Sequence, residues 1–328
     1  MAGNVAYAAA SFVWRNTILK WYRQGLVKKE ERHWREHRRS YGRENSDKTF
    51  YVIRRWDYYC GLGSILLTTL QRIEDAIGKG YIPVVDMQNN FNIYLEREKI
   101  GKENSWEYYF EQPAGYDLKA IGRSRHVIEG AGTVPEKMFP YLTMDFLSGR
   151  SGELEYWQEL TRKYIRFSPE AEAAIDQTYS GLFGEEERVL GVILRGTDYV
   201  QAKPKNHPIQ PTPEEAVMQI ERILAEQNCD KIFLATEDKE IYKVIKERFG
   251  DRVCTNKTDF LEYQGGSIGK EAYSTGTDPK AMGMEYLTTL AILSKCHCLC
   301  GGCVSGTVAA LLLTKGYEYT YLFDLGIY

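Results

Sequence analysis

The chain has 328 residues, enough for two ordinary domains, and its 43% apolar and 27% charged content is that of a globular protein. A net charge of −3 and a pI near 6.1 give no general attraction for nucleic acid, and no apolar run approaches the roughly 20 residues that span a bilayer. No basic start with an apolar core and cleavage site marks a signal peptide, and seven cysteines, odd in number and not spaced as a disulfide framework, lead us to expect a reducing cytoplasm.

Residues 5–40 predict one or two helices, with Phe12, Leu19, Tyr22 and Leu26 on one stripe at helical spacing. Basic residues far outnumber acidic ones between positions 15 and 39, and Trp14, Trp21 and Trp34 are interleaved among them. Such a stretch either packs on the body as a solvated helix or makes peripheral contact with an anionic membrane surface. Tyr51-Val52-Ile53 then predicts a short strand and Gly61-Leu62-Gly63-Ser64 a tight turn. Ile65, Leu66, Thr69, Leu70, Ile73 and Ile77 mark one face of a helix that Gly78 and Gly80 end. Residues 81–86 form the next strand, completing a β-loop-α-β unit. Residues 90–180 are rich in aromatics and acids, among them Trp106, Tyr108, Tyr109, Phe110, Tyr116, Tyr156 and Trp157, and are expected to be helices and loops completing this half. The 24 tyrosines and 6 tryptophans suit carbohydrate, which offers C–H faces and hydroxyl edges, and they suit interfaces in general.

The second half has a clearer rhythm. An apolar strand at 189–194 stops at Arg195-Gly196-Thr197-Asp198, and a loop rich in Pro, Lys and Asn follows. Thr212-Pro213-Glu214-Glu215 opens a helix with a capping threonine, a first-turn proline and acids suited to the dipole; Ala216, Ile220, Ile223 and Leu224 are its buried stripe. A strand at 231–235 ends in Thr236-Glu237-Asp238, a helix runs to Phe249, and 252–255 is another strand. Residues 256–280 are a polar, glycine-rich loop. A helix over about 281–293 leads into a strand at 296–300, and Gly301-Gly302-Cys303-Val304-Ser305-Gly306-Thr307 opens a last helix over 308–313. Strands alternating with amphipathic helices predict a parallel sheet wrapped on both faces, whose ligands sit beyond the strands' carboxyl ends.

Three of those ends carry polar groups. An arginine after a buried strand presents two parallel donors suited to phosphate, and a glycine beside it admits a ligand closely. Ser305, Gly306 and Thr307 begin a helix, where backbone N–H groups and hydroxyls suit a pyrophosphate; either hydroxyl could instead cap that helix. Thr236, Glu237 and Asp238 either shape a nucleotide site or form an ordinary helix start. Cys296, Cys298 and Cys300 alternate, which on a strand puts all three on one face as small core residues; with Cys303 and His297 they lack the Cys-x₂₋₄-Cys turns of zinc sites, so no metal is expected there.

Gly191-Val192-Ile193-Leu194-Arg195-Gly196-Thr197-Asp198-Tyr199-Val200 resembles the first peptide motif of the fucosyltransferase superfamily, a strand followed by His-x-Arg-Arg-x-Asp. Ile193 stands for the histidine and Gly196 for the second arginine. Relatives carry a Gly-x-Gly-Asn/Ser turn like Gly61–Ser64, an Ala-Thr-Asp-Asp like Ala235-Thr236-Glu237-Asp238, a Ser-rich stretch before the last helix touching the diphosphate, and a His-Pro-Ile like His207-Pro208-Ile209. They also place an acid toward the nucleotide near Glu285, here about one turn off. A glutamate that relatives use as base is missing, Lys203 standing near its place, and Asp198 is the nearest carboxylate; it either acts in catalysis or orients Arg195. The resemblance implies an α/β fold of two Rossmann-like domains facing a cleft (GT-B type) with N-terminal helices. We divide it as 1–48 helical, 49–183 acceptor-side and 184–328 nucleotide-sugar-binding. It implies an inverting fucosyltransferase that needs no metal or other cofactor, uses GDP-fucose as donor, and acts on a glycan or lipid-linked oligosaccharide acceptor as in polysaccharide biosynthesis; no convincing Asp-x-Asp is present to hold a metal. The catalytic residues would be Arg195 and Asp198, and the donor-binding set Arg195, Thr197, Thr236, Glu237, Asp238, Glu285, Ser305, Gly306 and Thr307. Gly61, Gly63, Ser64 and His207 would lie on the acceptor side or its loops. Two alternatives stay open: a non-catalytic nucleotide- or glycan-binding protein on the same scaffold, and a transferase using another nucleotide sugar.

Overall fold

A computed structural model describes residues 36–54, 60–131, 143–196, 200–201, 203, 205–257, 259–260 and 277–328. The strands are β1 (His37–Arg39), β2 (Phe50–Arg54), β3 (Ile82–Val85), β4 (Val127–Ala131), β5 (Val189–Ile193), β6 (Lys231–Ala235), β7 (Val253–Cys254), β8 (Cys298–Gly301) and β9 (Tyr319–Leu322). The helices are α1 (Leu62–Gly78), α2 (Leu118–Ile121), α3 (Met144–Leu147), α4 (Glu153–Tyr164), α5 (Pro169–Leu182), α6 (Pro213–Glu226), α7 (Lys239–Phe249), α8 (Pro279–Lys295) and α9 (Ser305–Leu313).

The fold is α/β. A four-stranded sheet runs β1-β4-β2-β3, with β2 parallel to both β3 and β4 and only β1 antiparallel. A five-stranded sheet runs β7-β6-β5-β8-β9 with every pairing parallel. In chain order that is third, second, first, fourth, fifth, so the order reverses between β5 and β8. Strand alternation sends Leu190 and Val192 to one face, against Ile220, Ile223, Ile241 and Ile245 of α6 and α7. Val189 and Ile193 go to the other face, against Leu287 and Leu290 of α8 and Val308 of α9. Helices therefore cover both faces of the sheet, as its near-continuous apolar strands require.

The two sheets share one core. Helix α1 lies on β2 and β3 and also touches α8 and α9, and one cluster of buried side chains runs from Tyr51 and Leu66 through Leu290 to Leu312. Local signals set the helix ends. Thr212 accepts from the Glu215 amide at 3.2 Å while Glu215 accepts from the Thr212 amide at 2.8 Å, a reciprocal cap. Asp238 Oδ1 caps α7 through the amides of Glu240 and Ile241 at 2.9 and 3.1 Å.

Several expectations change. His37–Arg39, inside the stretch read as helix, is an edge strand paired to β4, and the rest of that stretch up to residue 35, with its proposed membrane contact, lies outside the described residues. No described helix is long and apolar enough to cross a membrane. Strand β4 sits within the region expected to hold only helices and loops. The aromatics there are largely core rather than sugar-facing: Trp106, Tyr109 and Phe110 are fully buried. Cys296 belongs to no strand; its amide bonds to the Leu293 carbonyl at the end of α8, and its thiol lies on the face opposite Cys298 and Cys300.

Candidate active site

The rim at the carboxyl ends of β5 and β8 is built largely by glycines. Ile193 ends β5 and is 4% exposed; its carbonyl accepts the Gly302 amide at 3.2 Å. A Cβ on Gly301 would come within 2.5 Å of Ile193 Cγ2, and one on Gly306 within 2.7 Å of Ile193 Cδ1. The isoleucine is thus an apolar wedge beneath the start of α9, and no polar group stands where the family motif has histidine.

Arg195 follows, one quarter exposed, with Nη1 3.2 Å from Glu237 Oε2 at the end of β6. The partner carboxylate is more buried, at 12% exposed, and holds the guanidinium through that oxygen. Gly196 backs directly on Asp238: a Cβ there would lie 2.1 Å from Asp238 Oδ2. The missing second arginine thus has a steric cause, because the residue that caps α7 fills its space. Thr236 is buried, and its hydroxyl accepts the Asp238 amide at 3.2 Å. Of the trio, Glu237 pairs with Arg195, while Thr236 and Asp238 build the turn. Thr197 and Asp198 lie outside the described residues.

Helix α9 starts at Ser305 with Val304 as its cap residue, no capping side chain and no acid in its first turn. Ser305 is half-buried, but Thr307 does not reach the surface. It is fully buried, and its hydroxyl donates to the Gly302 carbonyl at 2.6 Å, so the expectation that it offers a donor to a diphosphate is corrected. Helix α1 also starts without a capping side chain or a first-turn acid, after Gly61. The two starts meet: a Cβ on Gly63 would lie 3.7 Å from the Ser305 carbonyl carbon and 3.3 Å from the Tyr286 hydroxyl, which is also 3.1 Å from the Cβ position of Gly306. Ser64, half-buried, stands in the same first turn. Of Gly61, Gly63 and Ser64, expected on the acceptor side, Gly63 is thus brought against the start of α9.

Glu285 points elsewhere. Its carboxylate accepts from Lys257 Nζ at 2.9 Å beyond the end of β7, while Tyr286, one residue on, turns toward α1 and α9. Sequence reading missed Tyr286, and only the glycines at 63 and 306 hinted that something fills the space between the helix starts. His207 lies along residues 326–328: its carbonyl accepts the Tyr328 amide at 3.0 Å, and the Ile209 amide donates to Gly326 at 2.9 Å. Beside it opens a cavity of about 370 Å³ bordered by Thr143, Asp145, Arg150, Pro208, Cys303 and Asp324. Gln210 joins cavity and rim, since its Nε2 donates to the Pro208 carbonyl at 3.0 Å and its Oε1 fills the space beside Gly302. Among the described residues, no group of His, Cys, Asp and Glu has the arrangement of a metal site.

No family model and no curated protein matches the chain. Solved structures do. NodZ alpha-1,6-fucosyltransferase soaked with GDP-fucose is 18% identical, covers 85% of this chain and 96% of its own, and superposes with a TM-score of 0.50. Fucosyltransferase NodZ from Bradyrhizobium is 17% identical, with 81% and 94% covered at 0.47. POFUT1 in complex with GDP-fucose is 14% identical, with 86% and 100% covered at 0.47. The first of these likenesses bears on the fold: the chain shares an α/β fold with that structure, in agreement with the α/β class expected from the sequence.

Proposed function

We propose that this chain is a glycosyltransferase that moves fucose from GDP-fucose to a hydroxyl of a glycan. One observation carries the reading: the uncapped starts of α1 and α9 converge over Ile193 at the end of β5, two residues before Arg195, at the point where the order of the parallel sheet reverses. Open N–H groups and aligned dipoles favour an anion there, and reversal points are where such sheets bind nucleotides. A diphosphate seated over these helix starts would extend toward the guanidinium of Arg195, which follows the end of β5.

In the transfer, the bond from the sugar C1 to the diphosphate oxygen breaks and its electron pair stays on that oxygen. Arg195 and the helix starts meet the growing charge; removing a positioned donor of this kind costs about 10²–10³ in rate. The acceptor oxygen bonds to C1 from the opposite face, which inverts the centre, and its proton passes to a carboxylate. We assign that role to Asp324 on the cavity wall, with the cavity as the acceptor's seat, because its lining is mainly polar, with Asp145 and Arg150 to meet hydroxyls and Phe323 and Leu325 to meet C–H faces. Arginine and helix dipoles supply the positive charge that many transferases take from a metal, so the reading is metal-independent. Fucose is the donor to test first because the motif resembles that of the fucosyltransferase superfamily and a structure of the same fold was soaked with GDP-fucose.

One observation favours a binding protein without transfer: at Gly196 there is no room for a second arginine. A single assay separates the two. GDP release from GDP-fucose is followed with glycan acceptors, in chelator and in manganese, for the wild type, Arg195→Ala and Asp324→Asn. Transfer should be equal in both media, fall about 100-fold or more in Arg195→Ala, and fall in Asp324→Asn with acceptor present. GDP binding without release would establish the binding protein, and strict dependence on manganese would refute the metal-free reading.

A further inference from the structure

The first sheet also reverses its order. Its parallel strands lie β4-β2-β3, and β2 comes first in the chain, so the reversal falls between β4 and β2. Parallel sheets bind ligands beyond such points, at the carboxyl ends of the strands. A chain of polar side chains lies there. Arg54 ends β2; its Nε donates to Asp86 Oδ2 at 2.5 Å, and its Nη1 lies 3.4 Å from Glu129 Oε1 on β4. Tyr41 donates to the same Glu129 oxygen at 2.6 Å, and Asn89 Nδ2 donates to Asp86 Oδ2 at 2.9 Å. Holding the loop after β3 needs only Asp86, whose Oδ1 already takes the amides of Gln88 and Asn89. That need does not explain Glu129, a mostly buried carboxylate on a strand whose neighbour on the same face, Val127, is core. Nor does it explain the Tyr41 ring, which is 48% exposed and yet fixed through its hydroxyl.

We propose that this cluster is a saccharide subsite, in which the Tyr41 ring stacks on the C–H face of a neutral sugar while Arg54 donates to its hydroxyls and Asn89 accepts from them. The ligand rests on the glycan reading given above; the subsite does not require that transfer occur. Among the described residues, Arg54 Nη2 and Asn89 Oδ1 make no hydrogen bond, so a donor edge and an acceptor stand ready beside the ring. The charges of the cluster favour a neutral ligand. Asp86 and Glu129 flank Arg54, and Arg39 lies 3.6 Å from Glu129, so acids and bases cancel and an anion finds no net attraction. An oriented aromatic face beside fixed polar groups is what a sugar's apolar face and hydroxyl edge require.

Cellotetraose, mannotetraose and chitotetraose are titrated into the full chain by calorimetry without donor, and the same sugars serve as acceptors in the GDP-release assay. At least one should bind, and excess inorganic phosphate should not displace it. Tyr41→Ala should weaken that binding about 10-fold. Arg54→Lys keeps the charge and loses the planar fork, and should weaken it likewise. If Arg54→Lys lowers the unfolding temperature, Asn89→Ala, at an exposed position, is measured in its place. Tyr156→Ala on α4 is the control: that ring is 47% exposed and its hydroxyl bonds to Glu74, so its loss should leave saccharide affinity unchanged. No binding of any of the sugars, wild-type affinity in Tyr41→Ala, or displacement by phosphate would overturn the proposal. Binding that Tyr41→Ala weakens, with no GDP release from wild type, would uphold the subsite and refute the transferase. GDP release from wild type, with undiminished saccharide affinity in Tyr41→Ala, would do the reverse.

Discussion

Gly196→Ala puts the packing of the rim to a thermodynamic test. A Cβ at 196 would lie 2.1 Å from Asp238 Oδ2, 2.6 Å from its Cγ and 2.9 Å from its Cβ. None of these can yield cheaply, because Oδ1 of the same carboxylate holds the Glu240 and Ile241 amides at the start of α7. Driving Asp238 aside forfeits the cap, worth about 1 kcal/mol, and adds overpacking of about 1–3 kcal/mol; the variant should lose about 2 kcal/mol or more. Asp238→Gly removes the obstructing atoms, and glycine at a cap position costs only about a few tenths of a kcal/mol. In that background Gly196→Ala should cost little, giving a coupling of about 2 kcal/mol between the sites. Urea unfolding followed by tryptophan fluorescence measures all four corners of the cycle. Equal costs of Gly196→Ala in both backgrounds, within about 0.5 kcal/mol, would refute the contact and with it our account of the missing arginine. The same geometry predicts that Gly196→Arg, which restores the family motif on paper, gains no activity.

Two further outcomes follow from charge and burial. Arg188 grips Glu318 with Nη2–Oε2 at 2.7 Å and Nη1–Oε1 at 3.3 Å, and this hydrogen bond and charge hold the acid below its usual value of 4.5. A lowered carboxyl contributes stability that is whole above its unfolded pKa and is lost as pH falls through the folded one. Glu318→Gln should therefore flatten the stability–pH curve below about 4.5, and an unchanged acid limb would count against the pair. Burial pushes the Cys300 thiol up to about 12 and the Cys303 thiol up to about 11. Peptide mapping after iodoacetamide at pH 8 should find both unmodified in folded protein and modified in urea; prompt labelling of either in the folded state would contradict their burial.

The sequence made the second sheet readable because its strands are short apolar runs between strong stops. Lys231–Ala235 matches its strand residue for residue, and Thr212 announces its helix through the reciprocal cap. Strand β9 escaped because Tyr319–Leu322 is half-buried and carries tyrosines of the kind scattered elsewhere in the chain. The cysteine strand was set too early because alternation at 296, 298 and 300 looks like a strand, whereas the Cys296 amide is already committed to Leu293. Of the candidate site residues, Arg195 and Ser305 stand out from chain-local pattern alone. Thr307 could not be told from a surface donor, since only the turn at Gly302 reveals where its hydroxyl goes. Tyr286 and Asp238 act across space on glycines about 220 and 40 positions away by the numbering, and local periodicity carries no trace of such pairs.

The continuous cluster from Tyr51 to Leu312 has a mechanical consequence. Opening the halves as hinged jaws would pull α1 off α8 and α9 and expose side chains such as Leu66 and Leu290, which are 1% and 0% exposed. At about 25 cal/mol for each Å² of apolar surface, such an excursion is far costlier than rearranging a loop. The halves should melt in one cooperative step, and traffic through the rim is left to the segments around it rather than to rotation of whole lobes.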